Sequence, residues 1–283
     1  MKYKSDCDMI PLKPVGEENT MNRFVKDIKK YYKYATYAAK AELKAEVAGS
    51  YLNWVWWILE PLALMAIYAF IFGFVFDARE QYFTAFIYVG LTVWTFFNQN
   101  LKNSVKIVKK NKAVVSKVYL PKFILIESKM FVNGFKMLVS FAIVIALMIF
   151  YRVHLTWNVL FVLPIFVTIW LVTFGCMCIV SHFGVYVEDL ANVINIALRL
   201  VFYMTGIMFS IERRIGAKHP ELAMILGKFN PMAYLISSLR KCLLYGETPE
   251  VPVLLVWFVI GLVLCVVGVR VIYKNENSYV KVI

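Results

Sequence analysis

No stretch of this sequence carries a nucleotide-binding or hydrolytic signature. There is no GxxxxGK(S/T) phosphate loop, so the chain cannot hold ATP in the usual backbone cradle. No GxGxxG follows a strand-like run, and no HExxH, GxSxG or paired-carboxylate constellation occurs. Histidine is scarce, and His154, His182 and His219 are too scattered to form a metal cluster. The five cysteines, Cys7, Cys176, Cys178, Cys242 and Cys265, form neither a disulfide framework nor a CxxC pair. Cys176 and Cys178 lie in an apolar run and read as small packing residues. The first twenty residues are polar and lack the apolar centre of a signal peptide, so no cleavage is expected. Charge is also thin, at 17% of residues, where soluble domains carry about 25%.

Apolar sequence fills the space that charge leaves. Hydrophobic residues make up 61% of the chain, 16% are aromatic, and the mean hydropathy is +0.66. That composition predicts an all-α integral membrane protein. The net charge of +13 reads as topology and contact with anionic lipid, not as a nucleic-acid footprint, because nucleic-acid binders lack this hydropathy.

Six apolar runs are long enough to cross a bilayer, which takes about 20 residues. They are 51–76, 83–101, 131–151, 158–184, 190–211 and 252–273. The first reads YLNWVWWILEPLALMAIYAFIFGFVF. Its Trp54, Trp56 and Trp57 fit a headgroup-level belt, and Pro61 invites a bend. Ahead of it, 1–20 reads as a mobile tail. Residues 21–48 read as an amphipathic surface helix. There Phe24, Ile28, Tyr31, Tyr32, Ala35, Ala39, Leu43 and Val47 recur at steps of three and four among lysines. No span-to-span repeat is obvious, so 51–273 reads as one membrane domain, followed by a short C-terminal segment 274–283.

The loops set orientation. Lysine and arginine number ten before the first span, eight in loop 102–130, and two at Lys274 and Lys281. The opposite side holds Arg79, Arg152 and six in 212–251, so the split is 20 to 8. By the positive-inside rule both termini, loop 102–130 and the tight turn 185–189 are cytosolic.

Three ionisable residues inside apolar runs stand out, Glu60, Arg199 and Lys136, because charge there is expensive and tends to serve function. Glu60 and Arg199 lie at similar depth from the cytosolic face, on the order of 10–15 Å at helical rise. They are expected either to pair or to face a polar interior. Lys136 lies near a span end and can snorkel. Tyr68, Phe72, Trp94, Phe97, Phe202 and Tyr203 fall within spans. Helix packing accounts for them, and so does an aromatic-lined path suited to the apolar faces of sugars. Segment 216–246 holds two short apolar helical patterns divided by Phe229, Asn230 and Pro231, each too short to span. It reads as a re-entrant pair, tolerated at membrane depth only where protein or a water-filled cavity covers it.

Several of these features occur together in one order: the basic surface helix, WVWWILEPL, VSKVYLPKFIL in the basic loop, VYVEDL at the tight turn, and NPMAYLISSLRKCLLYG before the last span. That order resembles the ABC-2 type polysaccharide-export permeases, which serve O-antigen, capsule and teichoic acid export. The resemblance covers about residues 22–275. It implies two copies of this chain working with two copies of a separate ATPase, which would hold the ATP and Mg. It implies a lipid-linked glycan as cargo and no enzyme activity on this chain. It places coupling to the ATPase at Asn111, Lys112, Val115, Lys117, Tyr119 and Pro121, with a second contact at Glu188 and Asp189. It places an outer gate in 212–251, with Arg213, Arg214, Phe229, Asn230, Pro231 and Tyr234. It places aromatics along the channel between the two copies. One departure stands out: many relatives have arginine where Tyr186-Val187-Glu188-Asp189 has Glu188. Two rival readings remain at this point, an ABC-2 permease for a drug or small lipid and an intramembrane enzyme acting on polyprenyl lipids.

Overall fold

The structure is a computed structural model and describes residues 20–48, 53–75 and 80–282. The described residues are helical, with no strand among them. The expected tail and Arg79 lie almost wholly outside them.

Helix α1 (Thr20–Ala48) packs along α6 (Lys122–Phe150). It buries Ala35 and Ala39 and leaves Lys26, Lys29, Lys30, Lys33, Lys40 and Lys44 exposed. Two ion pairs fasten it, Lys129 to Glu42 and Lys136 Nζ to Glu46 at 2.6 Å. Lys136 therefore has a partner as well as a snorkelling stem, and it lies over the Trp57 ring.

Helix α2 (Asn53–Tyr68) continues through Pro61 and passes into π-type turns over Ala69–Val75. It rests on α3 (Phe83–Val105) and α6 and leaves one long apolar side uncovered. Helix α3 forms the centre of the core. From Ala85 to Trp94 every residue is buried. Two short helices follow, α4 (Ile107–Lys110) and α5 (Lys112–Val115). The expected loop 102–130 is shorter than its lysines suggested. Helix α3 holds its beginning, and α6 already starts at Lys122 because the FILI run is buried in the core.

A 3-10 turn, Trp157–Phe161, leads into α7 (Val162–Tyr186). Helix α7 lies against α12 (Val251–Val282) along most of its length. Glycines permit this closeness. A Cβ at Gly175 would stand 2.6 Å from the Leu264 Cβ, and one at Gly268 would stand 2.6 Å from the Cys178 Cβ. Small residues at helix crossings are the usual route to tight packing inside a membrane.

Helix α8 (Leu190–Met204) ends seven residues before the expected limit of 211. Two local causes are visible. The Thr205 hydroxyl turns back to the Val201 carbonyl at 2.6 Å, and Gly206 takes a left-handed conformation with φ of 66°. Then come α9 (Ile211–Arg214), α10 (Pro220–Phe229) and α11 (Pro231–Arg240), the last passing into a π-type turn Lys241–Tyr245. Helices α10 and α11 meet at a bend of 93°.

By length and composition four helical segments can cross a membrane: Trp54–Phe74, Lys122–Phe150, Trp157–Tyr186 and Val251–Tyr279. The bent pair makes a fifth if it is counted as one span. The other two expected spans exist as helices but fall short of that measure. Asn98, Gln99 and Asn100 interrupt the apolar run of α3, and α8 has only 15 residues. Helix α12 departs in the other direction. It continues beyond 273 to Val282, so the expected C-terminal segment is helical and contributes Glu276 and Tyr279 to the interior.

Candidate functional site

Helix α3 carries the chain from one end of the bundle to the other. Its 23 residues span about 35 Å at helical rise. The two groups of candidate residues collect at its two ends, and the aromatics lie along it.

At the Val105 end, the segment 106–121 meets the turn after α7. Gly184 lies directly against the Val105 carbonyl, where a Cβ would come within 2.1 Å of the oxygen. Lys109 Nζ stands 3.9 Å from Glu188 Oε1. The two expected contact regions are thus adjacent. Asn111 closes α4 through its backbone, and its side chain donates to the Ile107 carbonyl at 2.8 Å. Ile107, Val108 and Val115 are buried and anchor the segment, while Lys112, Lys117 and Val118 are exposed. Pro121 is buried and precedes α6, where its fixed φ suits the change from extended chain to helix. Asp189 caps α8 with its backbone carbonyl, which accepts from Asn192 and Val193.

A cluster that the sequence reading missed closes this end. Arg23 donates to the Tyr119 hydroxyl and to Glu276 Oε1, the latter at 2.7 Å. Tyr119 in turn reaches the Glu276 oxygens at 3.2 and 3.3 Å. The Arg23 guanidinium stacks over the Tyr273 ring at 4.2 Å, and the Tyr273 hydroxyl donates to Asp27 at 2.7 Å. Burial, reinforced by the Glu276 charge, pushes the Tyr119 phenol up to about 12. Burial lowers Arg23, but the hydrogen bond and charge of Glu276 outweigh it, so the guanidinium is held more firmly charged than usual.

The six aromatic candidates form one connected cluster. Tyr68 lies 6.4 Å from Phe72 and 6.2 Å from Phe202. Trp94 lies 5.5 Å from Phe202 and 5.8 Å from Phe97, and Phe202 lies 5.4 Å from Tyr203. Trp94 and Phe97 are buried on α3, and Tyr203 is exposed at the edge of the cluster. Glu60 and Arg199 flank it on α2 and α8. No ion pair joins them among the described residues, and both side chains are exposed on the chain's own surface.

The opposite end is built by the bent pair. Asn230 sits at the bend, and its side chain accepts from the Met232 and Ala233 amides at 3.1 and 3.3 Å. That is an N-cap, with Pro231 in the first helical position where no donor is lost. Tyr234 donates to the Glu250 carbonyl at 2.6 Å. Phe229 projects outward from the bend, and Arg214 is exposed. Three ion pairs tie this region together: Arg213 to Glu80 at 2.9 Å, Lys228 to Glu250 at 2.6 Å and Lys241 to Glu212 at 3.1 Å. They border a polar cavity of about 670 Å³. At its inner wall lies Arg240, only 4% exposed. Its guanidinium donates to three main-chain carbonyls: Phe86 at 3.0 Å, Gly206 at 2.9 Å and Ile207 at 2.8 Å. Gly90 makes room for it, since a Cβ there would lie 2.5 Å from the guanidinium. Sequence reading passed over Arg240 because a cation next to Lys241, in a segment read as facing outward, looks like surface charge.

The family model for the ABC-2 type transporter matches residues 37–244, from α1 through the π-type turn after α11. The chain belongs to the ABC-2 type transporter family. The match takes in the exposed segment 106–121, the aromatic cluster and the bent pair. The chain is also similar to an O-antigen export system permease protein RfbA of Klebsiella pneumoniae. The two are 24% identical over 243 residues, or 86% of this chain and 92% of the relative. A protein of the same description from Myxococcus xanthus is 25% identical over 245 residues, or 86% of this chain and 93% of that one. The chain is therefore a multi-pass membrane transport subunit and not itself catalytic.

Proposed function

We propose that this chain is the permease half of an ATP-driven exporter that moves a lipid-linked polysaccharide across the bacterial cytoplasmic membrane. The observation that carries this reading is the similarity to O-antigen export permeases over 86% of the chain, together with the missing phosphate loop. Two copies of the chain work with two copies of a separate ATPase, which binds ATP and Mg. Helix α1 lies on the cytosolic membrane surface with its lysines toward anionic headgroups. Helix α3, buried at the centre of the bundle, and helix α8, at its edge, complete six spans, and both termini are cytosolic. The segment 106–121 and the turn at Glu188 and Asp189 receive the ATPase. The bent pair enters the membrane from the outside and returns, with Arg213, Arg214 and Phe229 at its mouth.

The second copy faces the uncovered sides of α2 and α8. Glu60, Arg199 and Tyr203 then line the passage between copies, with the remaining aromatics behind them. Rings offer apolar faces to sugars without holding a charge, which suits a polymer that must slide. Arg199 meets phosphate on the lipid carrier or the polymer.

Depletion of the chain tests the reading. The expected result is loss of a surface polysaccharide and accumulation of its lipid-linked form inside, with an ATPase co-purifying in detergent. Unchanged surface glycan with altered drug or lipid export would replace the cargo. Absence of any ATPase partner would remove the exporter reading.

A further inference from the structure

Segment 106–121 hangs between α3 and α6. A push on its two short helices leaves through three routes. Val105 leads into α3, and Pro121 leads into α6. The third route is a side chain, because Tyr119 is tied across to α1 and α12 through Arg23 and Glu276. These residues lie 96 and 157 positions from Tyr119 in sequence. No loop joins the three elements here, so side-chain contacts carry the connection.

Glu276 is the common point. It is 6% exposed, and it receives both the Arg23 guanidinium and the Tyr119 hydroxyl. A buried carboxylate is retained only when its partners are in place, and removal of one partner leaves an uncompensated charge. Arg23 is itself fixed by the Tyr273 ring below it and by Asp27 one turn along, at 3.8 Å. Each link is short, charge-assisted or stacked. Beyond the cluster, α12 is packed along α7 and α1 is pinned to α6 by two ion pairs. Displacement of Tyr119 therefore reaches the surface helix and the last span at once.

We infer that Tyr119, Glu276 and Arg23 form a joint that transmits movement of the ATPase-contacting segment to α1 and α12. These are positioning residues and touch no cargo. The inference rests on the exporter reading above, since it needs an ATPase to push. It adds the polar end of α12 to the coupling machinery, a part of the chain that lies beyond the segment matched by the family.

The test uses the full permease–ATPase complex in proteoliposomes and reads polymer exported per ATP hydrolysed. Tyr119→Phe removes one hydroxyl and keeps the ring, so the fold is retained. The expected result is polymer per ATP reduced about five-fold or more, the factor that corresponds to about 1 kcal/mol of coupling. Glu276→Gln is expected to lower the ratio further, and Arg23→Lys, which keeps the charge, to lower it less than Arg23→Gln. Wild-type ratios in both Tyr119→Phe and Glu276→Gln would overturn the joint. So would a parallel fall of hydrolysis and export, which would mark the cluster as structural only. A wild-type complex that hydrolyses ATP but exports no glycan would instead overturn the exporter reading and the joint with it.

Discussion

Arg240 shows how a single side chain can hold a broken backbone. Where α8 stops, the carbonyls of the turn that follows, Gly206 and Ile207, have no helical donors of their own. Arg240 supplies the donors from α11 and at the same time reaches the Phe86 carbonyl on α3. Its planar fork serves three acceptors in fixed directions, which a lysine ammonium cannot do. Arg240→Met is expected to cost on the order of 3 kcal/mol, because a buried acceptor left unpaired costs about 1–3 kcal/mol. Arg240→Lys should recover less than half of that. Thermal unfolding of the detergent-solubilised protein measures both. A midpoint unchanged in Arg240→Met would mean that the carbonyls find other donors. None of this was legible in the sequence, because a buried arginine and a surface arginine have the same letters around them until the helix break beside it is known.

Among the elements, the apolar helices were readable and their limits were not. Hydropathy located the long apolar helices, since backbone in lipid must be helical or paired, and periodicity located α1. It misjudged ends wherever packing overrode local polarity. Lys274, Asn275, Glu276 and Asn277 look like the end of a span, yet α12 continues because α1 and α7 bury Glu276 and Tyr279. Gly206 and Thr205 signalled the end of α8, but they were outweighed by the apolar residues after them. The candidate aromatics were recognisable one by one. That they form one cluster depends on the placing of α2, α3 and α8 around Phe202. The α7–α12 contact provides a test at this scale. Gly268→Leu forces a side chain into the Cys178 Cβ. Overpacking of this kind costs about 1–3 kcal/mol. Expression should fall and the melting midpoint should drop, whereas Gly227→Leu, at a position with open space around it, should change neither. Equal effects at the two glycines would contradict the close approach.

For the whole molecule, the proposed orientation can be tested from where its lysine-rich elements and its bent pair lie. The lysine-rich elements, α1 and segment 106–121, lie at the Val105 end of α3, and the bent pair lies at the Phe83 end. If the first end is cytosolic, an impermeant thiol reagent should reach Lys30→Cys and Lys117→Cys only in permeabilised cells. Arg214→Cys and Leu222→Cys should react in intact cells. All four sites are exposed on the chain, and replacing Cys7 and Cys176 leaves only the buried Cys178, Cys242 and Cys265 as background. The pattern discriminates between topologies as well as directions. With α2 crossing, Lys30 and Lys117 share a side only if α3 crosses too, which decides whether α3 spans despite its polar end. Arg214 and Lys117 stand on opposite sides only if α6, α7 and α8 add an odd number of crossings. Labelling of Lys117→Cys and Arg214→Cys from the same side would remove α8 as a span and leave five, putting the two termini on opposite faces. That outcome would conflict with the Arg23–Glu276 contact, which holds the start of α1 and the end of α12 within one hydrogen bond of each other. Under the proposed six crossings Lys117→Cys and Arg214→Cys are labelled from opposite sides, and that result is the one expected.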